Sequence, residues 1–153
     1  MMGQAAKLRL CRVLLILNLC FIWGNSLLPA QASQALSDGV HDFLSSFRTI
    51  AAAPLDGSAL VRKLAHFMEF TALGLLLSWQ SALTEKNRRY VLHWGVAAAC
   101  VDEIIQFFVP GRAPGLLDVV IDTCGVAAGM ILLRIGYVIF TKNKPTTFGG
   151  NQP

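Results

Sequence analysis

The chain has 153 residues, of which 54% are hydrophobic and 14% are charged, and its formal net charge is +4. A disordered chain needs low hydrophobicity and high net charge, so this composition excludes one. Soluble domains carry about 25% charged residues, so the low charged fraction disfavours a water-soluble globule. The 13 lysine and arginine residues form no single patch, which argues against a nucleic-acid partner. Length and composition therefore predict one small domain that is integral to a membrane.

Four apolar stretches suit a transmembrane helix, which needs about 20 mostly apolar residues. They cover residues 10–28, 64–83, 91–109 and 115–140. We predict an all-α integral membrane protein with a four-transmembrane-helix bundle over residues 10–140. Residues 141–153 are expected to form a disordered cytoplasmic tail.

The first stretch has two interpretations. Its basic start and the later Ala30-Gln31-Ala32 resemble a signal peptide with a cleavage site. The apolar run is longer than the about 7–15 residues usual for a signal peptide, which favours a retained helix. Both alternatives stay open at the level of the sequence.

The segment from 33 to 62 is too polar to cross a membrane. Apolar residues recur in it at helical spacing, at Val40, Phe43, Leu44, Phe47 and Ile50. We predict a short outer amphipathic helix that begins with Ser37 or Asp38 as its cap. Such a helix either lies on the outer leaflet or packs over the mouth of the bundle.

Basic residues indicate the orientation. If all four stretches cross the membrane, eight basic residues lie on one side, namely Lys7, Arg9, Arg12, Lys86, Arg88, Arg89, Lys142 and Lys144. Four lie on the other side, namely Arg48, Arg62, Lys63 and Arg112. Lysine and arginine accumulate on the cytoplasmic side, so both termini are expected there.

The four cysteines, Cys11, Cys20, Cys100 and Cys124, form no CxxC pair, and each lies in or beside an apolar stretch. This spacing argues against a disulfide framework or a zinc site. We expect all four to be small buried hydrophobic residues.

Charged residues inside the stretches are costly, at about 2.5–3.5 kcal/mol for each at a helix centre. With a rise of 1.5 Å per residue, Glu69, Glu103 and Asp122 all lie roughly 8–10 Å below the outer surface. Gly125 and Gly129 continue the acidic face of the fourth stretch. Small residues permit close approach of helices, so this face is expected to point into the bundle.

Basic residues precede the second and the fourth stretch, namely Arg62, Lys63 and Arg112, although a helix N-terminus favours negative charge. Nearby carboxylates or an anionic ligand would compensate for them. We therefore predict an outward-facing polar pocket made by Arg62, Lys63, His66, Glu69, Asp102, Glu103, Gln106, Arg112, Asp118 and Asp122. The alternative is a salt-bridge and hydrogen-bond network that only fixes the bundle.

Three segments resemble the signatures of the VanZ-like family. They are residues 61–70 (VRKLAHFMEF), 102–112 (DEIIQFFVPGR) and 117–125 (LDVVIDTCG). Asp122 stands where the family more often has asparagine. The resemblance implies a small four-helix protein of the bacterial cytoplasmic membrane, in a family linked to glycopeptide (teicoplanin) resistance. It implies no particular ligand or reaction.

Three functions fit these features. The first is binding of an anionic lipid headgroup or a lipid-linked cell-wall precursor, by a monomer or an oligomer. The second is a metal-assisted enzyme acting on a lipid-linked phosphate. Glu69, Asp102, Glu103 and Asp118 would then hold Mg²⁺, and His66 would be the general acid or base. The third, a proton-coupled transporter, is disfavoured because the acids share one depth instead of crossing the membrane.

Overall fold

The computed structural model describes residues 3–46 and 57–142, and the side chains of residues 3–40 and 60–140. Its described part contains five helices and no strand, which confirms the all-α prediction. In chain order they are α1 (Gln4–Ser26), α2 (Ala30–Ser46), α3 (Gly57–Leu83), α4 (Arg88–Phe107) and α5 (Leu116–Lys142). Four of them, α1, α3, α4 and α5, overlap the four apolar stretches. The first two residues of the expected tail belong to α5, and residues 143–153 lie outside the described part.

Side-chain contacts show that α1 and α3 run in opposite directions. Gln4 Nε2 donates a hydrogen bond to the carbonyl of Leu83, at the start of α1 and the end of α3, over 3.2 Å. Near the other end of α1, Asn25 Nδ2 donates to Glu69 Oε1 over 2.8 Å. Short connections make consecutive helices antiparallel, so α3, α4 and α5 alternate in direction. The C-termini of α1 and α4 therefore lie at the same end as the N-termini of α3 and α5.

Glycines let α3 and α5 run side by side with their backbones in contact. A Cβ atom on Gly129 would lie 2.2 Å from the carbonyl oxygen of Thr71, and one on Gly74 would lie 2.2 Å from that of Val126. A Cβ atom on Gly125 would also meet α3, 2.6 Å from a backbone oxygen. We call these five residues the glycine seam. It confirms that the Gly125 and Gly129 face points into the bundle.

The turn between α4 and α5 fixes the position of Arg112. Gly111 has a φ of 77°, in the left-handed region that glycine adopts without steric cost. The N–H of Arg112 donates to the carbonyl of Val109 over 3.2 Å, which closes the turn. This tight reversal brings Arg112 back toward the ends of the other helices.

The structure corrects the start of the amphipathic helix. Helix α2 begins at Ala30, not at Ser37 or Asp38, and Ser37 donates to the carbonyl of Ser33 inside the helix. Pro29 precedes the helix and its carbonyl accepts from the N–H of Ser33, consistent with the preference of proline for helix starts. Helix α2 packs against α3. Of the predicted apolar face, Phe47 and Ile50 lie outside the described residues.

Within the described residues, one helix, over Leu116–Phe140, is long and apolar enough by itself to cross a membrane. Helix α1 passes the same test only together with Ala30–Val40, and this pair is bent by 107°. Helices α3 and α4 do not pass because polar and charged residues interrupt them.

Part of the distribution of apolar and polar residues is inverted relative to a soluble protein, although the helices also enclose a buried apolar core. Leu116, Phe108 and Phe140 are 87%, 76% and 80% exposed, whereas Asp102 is fully buried and Asp122 is 1% exposed. In a soluble domain, aspartate is almost never fully buried unless it is paired. An exposed apolar surface of this extent is typical of contact with lipid or with another protein.

The cysteines follow the same inverted pattern. Cys11 is buried in the core, but Cys20, Cys100 and Cys124 are exposed, and all four are free. The prediction that all four are buried is therefore wrong for three of them. They lie on outward faces of apolar helices, where a small apolar side chain suits an apolar surrounding.

Candidate functional site

Buried polar residues gather where the C-termini of α1 and α4 meet the N-termini of α3 and α5, and we call this region the polar end. Its centre is the carboxylate of Asp102. Ser26 Oγ donates to Asp102 Oδ1 over 2.7 Å, and Gln106 Nε2 donates to Asp102 Oδ2 over 2.7 Å. Gln106 Nε2 also reaches Ser26 Oγ over 3.4 Å. Both oxygens of a fully buried carboxylate thus have partners, as burial of a charged group requires.

Two residues of α1 belong to this region although the predicted set omits them. Asn25 binds Glu69, and Ser26 binds Asp102. Their sequence signal is weak but present, because they form an adjacent polar pair that ends an apolar stretch. Only the fold shows which carboxylates they meet.

Arg112 binds the end of α1. Its Nη2 donates to the carbonyl of Asn25 over 3.1 Å, and its Nε donates to the carbonyl of Leu28 over 3.3 Å. A cation beside the last carbonyls of a helix is favourable. Partial burial lowers the pKa of Arg112 from its ordinary value, although arginine stays protonated in proteins. The positive charge that precedes α5 is therefore offset by carbonyl groups of another helix.

Glu103 and Lys63 also have local partners. The N–H of Gly115, just before α5, donates to Glu103 Oε2 over 2.9 Å. A carboxylate beside a helix N-terminus is favourable. Lys63 Nζ lies 3.4 Å from Asp118 Oδ1, with both side chains partly exposed. Glu103 thus holds the start of α5 through the backbone and forms no ion pair with a described cation.

A cavity of about 140 Å³ opens at the polar end. Eight of the ten predicted residues line it, namely Arg62, Lys63, His66, Glu103, Gln106, Arg112, Asp118 and Asp122. The other two, Glu69 and Asp102, lie behind it and bind Asn25 and Ser26. Pockets for drug-sized ligands measure about 300–1,000 Å³, so this cavity suits a small polar group.

Several buried polar atoms at this end have no hydrogen-bond partner among the described residues. They are His66 Nδ1, Glu69 Oε2, Glu103 Oε1 and Asp122 Oδ1. Leaving a buried polar group unsatisfied costs about 1–3 kcal/mol. In native structures, buried polar groups without a protein partner commonly contact a water molecule or an ion, or have a functional role.

The structure brings together a different metal-ligand set from the one that the sequence suggested. Glu69, Glu103 and Asp118 have separate partners in Asn25, Gly115 and Lys63. Among the residues described, the one group with metal-ligand spacing is His66, Asp102 and Asp122, whose ligand atoms all lie within 4.8 Å of one another.

Comparison with known proteins identifies the family. No curated protein and no solved structure matches the chain. The model of the family described as VanZ/LLP1 matches residues 12–140, and this range includes the polar end and the glycine seam. The match covers well over half of the chain and agrees with the resemblance found in its three signatures. The chain belongs to the VanZ/LLP1 family.

Proposed function

We propose that this protein crosses a bacterial cytoplasmic membrane four times, through α1, α3, α4 and α5, with both termini in the cytoplasm. Helices α3 and α5 have 27 residues each and α4 has 20. At 1.5 Å per residue these helices are about 40 Å and 30 Å long, which suits a hydrocarbon core of about 30 Å. The exposed apolar side chains support contact with lipid. The excess of basic residues at the opposite end supports an outward-facing polar end.

In this orientation the polar end binds an anionic headgroup at the outer leaflet, from a membrane lipid or a lipid-linked envelope precursor. The observation that carries this proposal is the cavity of about 140 Å³, which Arg62, Lys63 and Arg112 line together. Its size suits one phosphate-sized group and not a whole precursor. The remainder of the ligand would lie outside the cavity.

The three cations differ in how free they are to bind an anion. Arg112 uses two of its nitrogens on the carbonyls of Asn25 and Leu28, and Lys63 pairs with Asp118. Arg62 forms no ion pair within the described side chains, so its planar guanidinium remains able to grip a phosphate with two hydrogen bonds. Arg62 is therefore the principal anion ligand in this proposal.

Native lipids retained by the purified protein test the proposal. Wild type, Arg62→Gln and Arg134→Gln would be extracted into lipid nanodiscs and analysed by mass spectrometry. A hydrogen bond to a charged group contributes about 1.5–3 kcal/mol, so Arg62→Gln should retain at least about tenfold less anionic lipid. Arg134, which is exposed on α5 outside the cavity, is the matched control.

The masses of the retained species separate a phospholipid from a polyprenyl-linked precursor, because both present the same phosphate chemistry. Equal retention by wild type and a folded Arg62→Gln variant would contradict the proposed binding. The topology is tested separately. Single cysteines at positions 4, 87 and 113, in a cysteine-free background, should be labelled from the outside only at position 113.

A further inference from the structure

Three ligand-bearing side chains from three helices converge at the cavity, two of them as lining residues. His66 lies on α3, Asp102 on α4 and Asp122 on α5, and their ligand atoms lie within 4.8 Å of one another. His66 Nδ1 is 3.8 Å from Asp102 Oδ2. The two aspartates are 0% and 1% exposed. Convergence from three helices makes this arrangement a product of the tertiary fold, not of local sequence.

The partners of these groups are incomplete in a way that points to a cation. Asp122 Oδ1 and His66 Nδ1 are buried without hydrogen-bond partners in the described part of the chain. No described lysine or arginine forms an ion pair with Asp102 or Asp122. Two buried carboxylates this close repel each other when both are charged. A divalent cation between them would remove the repulsion and give each unpartnered atom a ligand bond.

Hydrogen bonds orient one of the ligands in advance. Ser26 and Gln106 each donate to an oxygen of Asp102, which fixes the direction of its carboxylate. Metal ligands in proteins are commonly held by such outer hydrogen bonds, and their loss typically weakens metal affinity 10–100-fold. Asp102 has this support, and Asp122 and His66 supply the atoms that remain without partners.

We propose that His66, Asp102 and Asp122 form a binding site for a divalent transition-metal ion, Zn²⁺ or Mn²⁺. An imidazole nitrogen suits Zn²⁺, whereas carboxylate oxygens suit both Zn²⁺ and Mn²⁺, and Ca²⁺ and Mg²⁺ prefer oxygen ligands alone. Ligands about 2.0–2.2 Å from one zinc ion lie at most about 4.4 Å apart, so the three side chains close slightly around the ion.

The site has an open side. His66, Asp122, Gln106 and Arg62 all line the cavity. Three protein ligands leave at least one coordination position for water or another oxygen donor. The ion would then face the cavity, within the same space as the cations. The site itself does not rest on the proposed headgroup binding, because the three ligands can hold an ion without it.

Metal binding by the full-length protein tests the inference directly. Protein stripped with a chelator would be titrated with ZnCl₂ or MnCl₂ by calorimetry, and bound metal would be quantified after desalting. Wild type should bind one ion per chain. His66→Gln and Asp122→Asn should each weaken binding at least tenfold. His93→Gln, which changes an exposed histidine on α4, should bind as wild type does.

Thermal unfolding distinguishes the loss of a metal ligand from the loss of the folded state. The metal should raise the Tm of wild type and leave that of Asp122→Asn unchanged. Without metal, Asp122→Asn should be at least as stable as wild type, because the amide has the same size and cannot place a charge in this buried position. The inference is overturned if folded wild type binds no ion at millimolar metal, or if both ligand variants bind like wild type. Arg62→Gln should keep its metal while losing anionic lipid, so the two proposals can fail separately.

Discussion

The glycine seam and the polar end both hold α3 against α5, but they do so by opposite means. In the seam, backbone meets backbone with no room for a Cβ atom at Gly74, Gly125 or Gly129. At the polar end, long side chains meet across a cavity of about 140 Å³ and several of their atoms lack partners. The seam has no free space between the two helices, whereas the polar end contains buried polar atoms that have no hydrogen-bond partner among the described residues.

In our proposal, this difference separates the structural part of the molecule from the part able to do chemistry. Without a strong hydrophobic drive between helices in lipid, close packing of small residues holds them together. Buried polar groups inside a membrane are expensive and mark functional sites by default. The seam therefore allows the polar end to carry unsatisfied groups without loss of the fold.

The largest effect is expected from Gly129→Ala in the seam. The new Cβ atom would lie 2.2 Å from the carbonyl oxygen of Thr71, a backbone atom that moves only if α3 and α5 separate. Overpacking of this kind costs about 1–3 kcal/mol, occasionally more, and we expect the upper end. Thermal unfolding in detergent measures it.

Gly136→Ala is the matched control on the same helix, because nothing lies within 4 Å of its Cβ position. Alanine is the better helix former by about 1 kcal/mol, so this variant should be as stable as wild type or more so. If Gly129→Ala unfolded at the same temperature as Gly136→Ala, the seam would not be the structural part of the molecule.

The next effect in size is expected from Asp102→Ala at the polar end. Its loss leaves Ser26 Oγ and Gln106 Nε2 without their main acceptor. Each unsatisfied buried group costs about 1–3 kcal/mol, so we expect a loss of about 2 kcal/mol after relaxation. Asp118→Ala, at a partly exposed carboxylate, should cost much less. Similar melting temperatures for both variants would place Asp102 outside the structural network.

The elements were largely predictable from the sequence, because hydropathy and spacing are local properties. The four apolar stretches overlap α1, α3, α4 and α5, and the spacing of Gly125 and Gly129 indicated their contact face. The start of α2 was not predictable in this way. The helix begins directly after Pro29, and Ser37 and Asp38 lie inside it instead of capping its start.

The proximity of these polar residues was also predictable, but their hydrogen-bond partners were not. Depth along each helix indicated that the ten polar residues share one end, and eight of them line one cavity. Pairing depends on helix rotation and on the reversal at Gly111, which a linear sequence does not show. For this reason the sequence suggested an anionic partner for Arg112, whereas the structure shows that it binds the neutral carbonyl groups of Asn25 and Leu28.

A smaller effect is expected from Arg112→Lys, which sharpens the comparison within the polar end. Lysine keeps the charge but loses the planar fork that reaches both Asn25 and Leu28. Loss of one net hydrogen bond costs about 1 kcal/mol. Thermal unfolding should show this decrease, with Arg134→Lys unchanged as the control. An unchanged Tm for Arg112→Lys would mean that the fork does not hold the end of α1.

The smallest effect on stability is expected from Lys63→Gln. Its nitrogen lies 3.4 Å from Asp118 Oδ1, and the two side chains are 44% and 34% exposed. Exposed ion pairs typically contribute about 0.2–1 kcal/mol and weaken in salt, so the Tm should fall slightly at low salt and match wild type at high salt. Retention of anionic lipid should nevertheless decrease, because Lys63 lines the cavity. A large, salt-independent loss of stability would instead assign Lys63 to the structural network, and the polar end would then resemble the seam more than we propose.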